Sequence, residues 1–302
     1  MKPPSLPAPP AVQALGPALA RRAWVSPAAV LRRQPAVVLG ATLLALHLGL
    51  ALLGPTLAPY GFAQMQVLHT LEAPSWAFLA GTDQFGRDNL SRVMWGARRT
   101  LAVALVSTLL GVTLGVVIGM VGGYYRGWID ELLMRLVDGM MAIPALLLAM
   151  LILTTLGSSP TYVVLGIAVV FMPRTARMVR GVALSLGAAE FVDAARLRGE
   201  SGAYVVFREM RPTAWAPIIV EASIRFSYAI LLATSLGFLG LGAGPPTPDW
   251  GLMINEALPF LDQAPWLAAL PAAAIASAVV GANLIGEGIR EALALRHSLD
   301  SA

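Results

Sequence analysis

Residues 139–173 read GMMAIPALLLAMLILTTLGSSPTYVVLGIAVVFMP and contain no Asp, Glu, Lys or Arg. A helix needs about 20 residues to cross the hydrocarbon core of a membrane, and this window is longer than that. The cluster Gly157-Ser158-Ser159-Pro160 is typical of a turn and would interrupt a helix. The window therefore predicts two membrane-spanning helices joined by a tight turn.

Further charge-free windows occupy residues 34–71, 100–125, 226–248 and 263–286. Only structures that satisfy their own backbone hydrogen bonds persist in the hydrocarbon core, so windows of this length predict helices. The composition agrees, since 57% of the residues are hydrophobic and 13% are charged. The sequence predicts an all-α, polytopic membrane bundle of six transmembrane helices, at 36–58, 101–123, 134–156, 161–181, 215–240 and 264–286.

Lysine and cysteine usage excludes several kinds of chemistry. Lys2 is the only lysine, and cysteine is absent. A GxxxxGK[ST] phosphate-binding loop needs a lysine after its glycine-rich turn, so this chain has no such ATP site. Thiolate metal sites are excluded by the missing cysteines, and His47, His69 and His297 lie too far apart for a local metal motif. We expect no metal, cofactor or catalytic residue here, and ATP hydrolysis, if it is needed, in another chain.

The distribution of arginine predicts the orientation. With six spans both termini lie on one side, and the opposite side receives only Arg87, Arg92, Arg98 and Arg99. The positive-inside rule therefore places both termini in the cytoplasm, and the basic surplus reflects topology rather than nucleic-acid binding. The first apolar stretch is longer than a signal-peptide core, which favours an uncleaved anchor.

The segment 81–101, GTDQFGRDNLSRVMWGARRTL, lies on the predicted outer side. An apolar stripe from Leu90 to Leu101 at helical spacing predicts an amphipathic helix at the outer interface, with Asp88 placed to cap its start. Two interpretations remain open, a surface helix that only orients span 2 or an element for gating or docking. The candidate residues of this outer segment are Gly81, Thr82, Asp83, Gly86, Arg87 and Asp88.

Within span 2, glycine recurs every fourth residue, at Gly111, Gly115, Gly119 and Gly123. Such a ridge of small residues lets the backbone of another helix approach closely. The spacing predicts tight helix packing, but it leaves open whether the neighbour belongs to this chain or to a partner subunit.

The longest predicted cytoplasmic connection is 182–214, VALSLGAAEFVDAARLRGESGAYVVFREMRPTA. Phe191, Ala194, Ala195 and Leu197 predict the apolar face of a short helix, which Gly199 would end because glycine readily adopts the left-handed conformation. A second amphipathic stretch follows from 204 to 210, and Pro212 is expected to break the helix before span 5. This loop is either a docking element for a soluble partner or a connector packed on its own bundle.

At this loop the sequence resembles the EAA loop of ABC importer permeases. The resemblance rests on Asp193-Ala194-Ala195, with Asp193 in place of the usual glutamate, followed by Gly199 and Pro212. Four more motifs occur in the family's order: GTDQFGRDNLSR at 81–92, GYYRGWIDELLMRLVDGMMAIPALLLAM at 123–150, LGFLGLGAGPPTPDWG at 236–251 and NLIGEGIREAL at 283–293. Together they are similar to the second permease subunit of the dipeptide/oligopeptide/nickel class.

The resemblance implies a type I ABC importer permease fold and a transport subunit that is not an enzyme. It implies four partners in the membrane complex, namely a homologous second permease, two cytoplasmic ABC ATPase subunits that bind ATP and magnesium, and an extracytoplasmic solute-binding protein. Di- or oligopeptides are the cargo we expect from the resemblance; nickel, glutathione and sugars are alternatives. The coupling loop implied by the resemblance contains Glu190, Phe191, Asp193, Ala194, Ala195, Arg196, Gly199 and Pro212.

The domain organisation follows from these assignments. We predict a flexible cytoplasmic tail at 1–35, the first transmembrane helix and an outer loop at 36–80, a permease core at 81–295 and a cytoplasmic tail at 296–302.

Three residues of the 182–214 loop depart from the family pattern, namely Arg198, Glu209 and Arg211. A self-sufficient secondary transporter is disfavoured because the span centres carry no acidic residues. A membrane-embedded hydrolase is disfavoured because His47, the only histidine within a span, has no catalytic partner nearby in sequence.

Overall fold

The computed structural model describes residues 35–300, and of residues 294–300 it describes the backbone alone. Over this range the predicted all-α class is confirmed, with a single isolated bridge between Thr82 and Asp88 and no β-strand. The predicted tail at 1–35 lies almost entirely outside the described residues. The principal helices are α1 (Pro35–Leu57), α2 (Asn89–Tyr125), α3 (Gly127–Met141), α4 (Ala145–Leu156), α5 (Pro160–Leu186), α6 (Glu190–Leu197), α7 (Trp215–Phe238), α8 (Trp250–Ala257) and α9 (Trp266–Asp300).

Five of these helices, α1, α2, α5, α7 and α9, are long and apolar enough to cross a membrane. The pair α3 and α4 would make a sixth span if it is counted as one broken span. The six-span prediction is therefore confirmed in outline. The helices α5 and α9 extend beyond the predicted spans at their carboxyl ends, and α9 continues through the predicted tail as far as Asp300.

The third predicted span, 134–156, is wrong as a straight helix. The helices α3 and α4 meet at 90°, and Pro144 stands at the break, immediately before α4. Proline lacks a backbone N–H, and it disfavours the helical conformation for the residue before it, which is Ile143. At 12 residues, α4 is about 18 Å long, too short to cross the hydrocarbon core alone.

The amphipathic helix predicted in 81–101 to lead into span 2 begins at Asn89 and is the first part of the spanning helix itself. Asp88 does cap a helix, since its carboxylate accepts a hydrogen bond from the Ser91 N–H at 2.7 Å. That helix is α2, which continues through span 2 for 37 residues, about 55 Å. No proline interrupts it. Residues 81–88 form a tight turn instead, in which Gly81 and Gly86 have φ values of 68° and 70°.

The glycine ridge of α2 faces α5 of the same chain. A Cβ atom added at Gly111, Gly115, Gly119 or Gly123 would lie 2.5–2.8 Å from an α5 atom, closer than real contacts allow. At Gly119 that atom is the backbone oxygen of Ala176, which cannot swing away. The neighbour that the sequence left open is therefore an intramolecular helix, and α2 and α5 form the tightly packed centre of the bundle.

Two apolar clusters lie toward opposite ends of α2. One surrounds Trp250, which is fully buried, donates its indole N–H to the Val93 carbonyl at 2.9 Å and meets the His47 ring edge-on. The other joins Met120 of α2 to residues of the 182–214 loop. The fold thus places a separate candidate site at each end of one long helix.

Candidate functional site

The helix α6 is held against the bundle by one of its faces. Val192 and Ala195 are fully buried, and they belong to the cluster that includes Val205, Val206 and Met210 from the second half of the loop. Gly199 follows the helix with a φ of 76°, a conformation that favours glycine and ends the helix as predicted. The position of α6 is therefore fixed by apolar contacts within the chain.

The opposite face of α6 is apolar and exposed. Phe191, Ala194 and Leu197 recur every third residue and point away from the bundle, and Leu197 is 89% exposed. The predicted apolar face is thus wrong in one respect, because it grouped Ala195 with these residues. At about 100° per residue, Ala195 lies about 100° around the helix axis from Ala194 and about 160° from Leu197, on the buried side with Val192. The short helix carries two apolar faces, of which the bundle covers only one.

The end of α2 contacts this loop through two tyrosines. The Arg196 guanidinium lies over the Tyr124 ring at 5.1 Å and bonds to Asp193 one turn earlier at 3.1 Å. Tyr125 leaves so little room at Gly202 that an added Cβ would lie 2.6 Å from the tyrosine hydroxyl. The loop is therefore in direct contact with the last turn of the central helix.

Pro212 does not break the chain before span 5, contrary to the prediction. Residues Val205–Met210 form a π-helix, and the Arg211 N–H donates to the Val206 carbonyl five residues earlier. This wider turn accommodates the proline, and a single turn residue, Ala214, separates the segment from α7. The second half of the loop is therefore an almost continuous extension of α7.

The predicted outer segment is built around a buried ion cluster. Asp83 Oδ2 bonds to Arg87 Nε at 2.6 Å and to Arg92 Nη1 at 2.7 Å. Glu256 Oε2 of α8 lies 2.7 Å from Arg92 Nη2 and 3.3 Å from Arg87 Nη2. Asp83, Arg87 and Arg92 are each at most 2% exposed. The cluster joins the 81–88 turn to α8.

Sequence reasoning missed two members of this cluster, Arg92 as a cluster residue and Glu256 altogether. Glu256 is 164 residues from Arg92, so no local spacing could connect them. The other predicted residues of the segment shape the turn. Thr82 bonds to the backbone of His69 and Glu72, and a Cβ at Gly86 would lie 2.1 Å from the Gln66 carbonyl oxygen.

The start of α8 depends on Asp249. Its Oδ1 atom accepts hydrogen bonds from the N–H groups of Gly251 at 2.9 Å and Leu252 at 3.2 Å. Burial raises the pKa of Asp249 above its ordinary value, and the two backbone hydrogen bonds oppose that shift. Asp249 therefore combines a helix cap with the cost of a buried charge.

The family model described as "Binding-protein-dependent transport system inner membrane component" matches residues 111–298. The matched range includes α6, the π-helix and the four α2 glycines, from Gly111 to Gly123, that contact α5. The chain belongs to this family. It is therefore an inner-membrane permease component, as the resemblance implied, and the family is one of transport subunits.

Similar proteins include permeases with two kinds of named cargo. The chain is 36% identical over 263 residues to the dipeptide transport system permease protein DppC of Alkalihalophilus pseudofirmus, covering 87% of this chain and 86% of that one. It is 38% identical to the di/tripeptide transport system permease protein DppC of Pseudomonas aeruginosa, covering 80% and 82%. It is 40% identical to the glutathione transport system permease protein GsiD of Escherichia coli O157:H7, covering 87% of each.

A similar solved structure agrees with the fold. The inward-facing MetNI methionine ABC transporter superposes with a TM-score of 0.55 at 19% identity, covering 65% of this chain and 94% of that one. The type I importer permease fold expected from the motifs is therefore confirmed.

Proposed function

We propose that this chain is the permease subunit of an ATP-driven peptide importer, and that the 190–212 loop couples it to separate ATPase subunits. The exposed apolar face of α6, formed by Phe191, Ala194 and Leu197, carries the proposal. An apolar helix face of this kind is suited to a groove on a partner protein. The other face of α6 is already buried, so a partner would meet a helix with a fixed orientation.

Transmission into the membrane follows from the chain path beyond α6. The π-helix at Val205–Met210 leads into α7 with little interruption, and Met210 is fully buried against the bundle. A displacement of α6 would therefore reach α7 through packed side chains. ATP binding in the partner subunits supplies the free-energy difference between the inward-facing and outward-facing states of the permease. Such binding shifts the equilibrium only by as much as its free energy differs between the two states.

The partners and the orientation belong to the same proposal. We assign a homologous second permease, two cytoplasmic ATPase subunits that bind ATP and magnesium, and an extracytoplasmic solute-binding protein. Both termini and the 190–212 loop are cytoplasmic, which is supported by the arginine distribution. This chain forms half of the translocation path and hydrolyses no ATP itself.

Di- or oligopeptide cargo is supported by the dipeptide and di/tripeptide relatives. Glutathione is the strongest alternative, because relatives of equal coverage carry that name. Nickel and sugars are weaker alternatives, supported only by the breadth of the class.

The coupling role is tested by Leu197→Glu, which places a charge on the exposed apolar face without touching the bundle. Leu68→Glu is the matched control, because Leu68 is 94% exposed and precedes the 81–88 turn at the other end of α2. In membranes containing all subunits, Leu197→Glu should reduce co-purification of the ATPases and ATP-driven dipeptide uptake about tenfold or more. Leu68→Glu should preserve ATPase co-purification. Normal ATPase recovery with Leu197→Glu would overturn the proposal.

A further inference from the structure

A groove of about 220 Å³ opens between α4, α5 and α7, away from both candidate sites described above. Its polar lining consists of Arg174 from α5 and Arg225, Tyr228 and Ser235 from α7. Its remaining lining is apolar and includes Leu146 and Phe171. Two arginines from two different spanning helices thus border the same space.

Both arginines stand in the middle of their helices. Arg174 lies 14 residues after the start of α5 and 12 before its end, about 21 Å and 18 Å along the axis. Arg225 lies 10 residues after the start of α7 and 13 before its end, about 15 Å and 20 Å. Ionisable side chains within membrane-spanning helices usually face a bundle interior or an aqueous cavity, and they mark substrate or ion pathways.

The two arginines differ in their partners. Arg225 Nε bonds to Glu221 Oε1 at 2.6 Å, both side chains are mostly buried, and the pair is electrically neutral. Arg174 is exposed to the groove, and no described residue forms an ion pair or a hydrogen bond with it. The groove therefore retains one positive charge that the chain does not neutralise.

The size and openness of the groove indicate part of a site. Ligand pockets usually enclose about 300–1,000 Å³, and this groove is smaller and open on one side. A homologous permease facing it would close it and complete the lining. An uncompensated guanidinium inside a membrane protein suits a carboxylate, with which it forms strong charge-assisted hydrogen bonds.

We propose that this groove is half of a transient binding subsite for a substrate carboxylate. Arg174 contacts the carboxylate, the Arg225–Glu221 pair holds the polar side of the groove in place, and the apolar lining receives the rest of a small peptide. The proposal rests on the proposed function, and it names the chemical class of the cargo. Dipeptides and glutathione both carry a free carboxylate, so one subsite serves either.

The test uses the complete transporter in proteoliposomes with saturating binding protein and two cargo probes, alanyl-alanine and glutathione. Arg174→Gln should lower ATP-driven uptake of the imported probe about tenfold, the usual effect of losing a charged hydrogen bond. Arg174→Lys keeps the charge but loses the planar guanidinium, so its uptake should lie between those of the wild type and Arg174→Gln. Arg135→Gln, on the exposed surface of α3, is the control and should match the wild type. ATPase activity without cargo should be unchanged in all three variants.

The amide of alanyl-alanine separates carboxylate binding from a structural role. Each variant is compared with wild type on the same probe, so the preference of the binding protein cancels. On the amide the Arg174→Gln defect should shrink to about twofold or less, because the carboxylate is missing. Equal defects on acid and amide, or wild-type uptake of the acid by Arg174→Gln, would overturn the subsite. A wild-type complex that retains its ATPases but imports neither carboxylate probe would overturn the subsite and leave the coupling role intact.

Discussion

The Arg198 guanidinium bonds to Glu209 Oε1 at 3.1 Å and so connects the two limbs of the 190–212 loop across the Gly199 turn. Both residues depart from the family pattern to which the loop is similar. Each of these two unusual residues is the ion-pair partner of the other, so we interpret them as a compensating pair. Because Arg198 is about half exposed, the pair contributes little to global stability, about 0.5 kcal/mol or less.

The first prediction concerns this pair. Arg198→Glu and Glu209→Arg each place two like charges across the turn, and each should reduce ATP-driven uptake about threefold by loosening the loop. The double variant restores opposite charges and should recover most of the uptake. The measurement is a double-mutant cycle on uptake rates at fixed complex concentration. Additive losses in the double variant would contradict the pairing.

A second prediction concerns the packing of α2 on α5. Gly119→Leu cannot be accommodated, because even a Cβ atom would lie 2.5 Å from the Ala176 carbonyl oxygen. Overpacking of this kind costs about 1–3 kcal/mol or more, so the apparent Tm of the purified complex should fall by several degrees. Gly139→Ala is the control, since a Cβ there meets nothing within 4 Å. It should leave Tm unchanged or slightly raised, and equal losses in both variants would refute this packing.

A third prediction concerns the buried ion cluster. Glu256→Gln leaves Arg87 and Arg92 with Asp83 as their only carboxylate among the described residues. Removing one partner from a buried cluster typically costs about 3–5 kcal/mol, so Tm should drop markedly. Glu131→Gln, whose pair with Arg135 is largely exposed, should have little effect. A Tm for Glu256→Gln that matched this control would show that the cluster does not hold α8 to the 81–88 turn.

A fourth prediction uses the raised pKa of Asp249. A carboxyl group whose pKa is raised by folding favours the folded state at low pH, and that contribution is lost as the pH rises through the folded-state pKa. Asp249→Asn keeps a good helix cap without the charge. The variant should therefore gain stability relative to wild type as the pH increases from 4 to about 8. Thermal unfolding across this range measures the difference, and a constant difference would contradict the shift.

The companion variant Asp249→Ala separates the cap from the charge. It removes the acceptor for the Gly251 and Leu252 N–H groups. Loss of a helix cap typically costs about 1 kcal/mol. At neutral pH, Asp249→Ala should therefore be less stable than Asp249→Asn, and the reverse order would show that the cap contributes nothing.

The sequence predicted the features that depend on local chemistry. Charge-free windows predicted the spans. Asp88 predicted the start of α2, Gly199 predicted the end of α6, and the four-residue glycine spacing predicted the ridge. The predictions failed where the effect of one residue depends on the backbone around it. Pro144 bends a span that hydropathy treats as straight, whereas Pro212 leaves the chain nearly unbroken because a π-helix accommodates it.

Long-range pairing limited the prediction of both candidate sites. The sequence identified Arg87 and Asp83, but Glu256 reaches them only through the packing of α8. In the coupling loop, Ala195 was grouped on one face with Phe191, Ala194 and Leu197, because the loop's own buried cluster, which includes Val205 and Met210, could not be anticipated. Likewise, Arg174 and Arg225 share a groove because α5 and α7 lie side by side.

Site-specific photocrosslinking from α6 tests the coupling role most directly. The chain contains no cysteine, so Leu197→Cys provides the single cysteine of this chain for labelling with a thiol-reactive benzophenone on the exposed face before the complex is assembled. In membranes with all subunits, illumination should join this position to an ATPase subunit, whereas Leu68→Cys should give no such adduct. Absence of an ATPase adduct from position 197 in an assembled, ATP-hydrolysing complex would contradict the account.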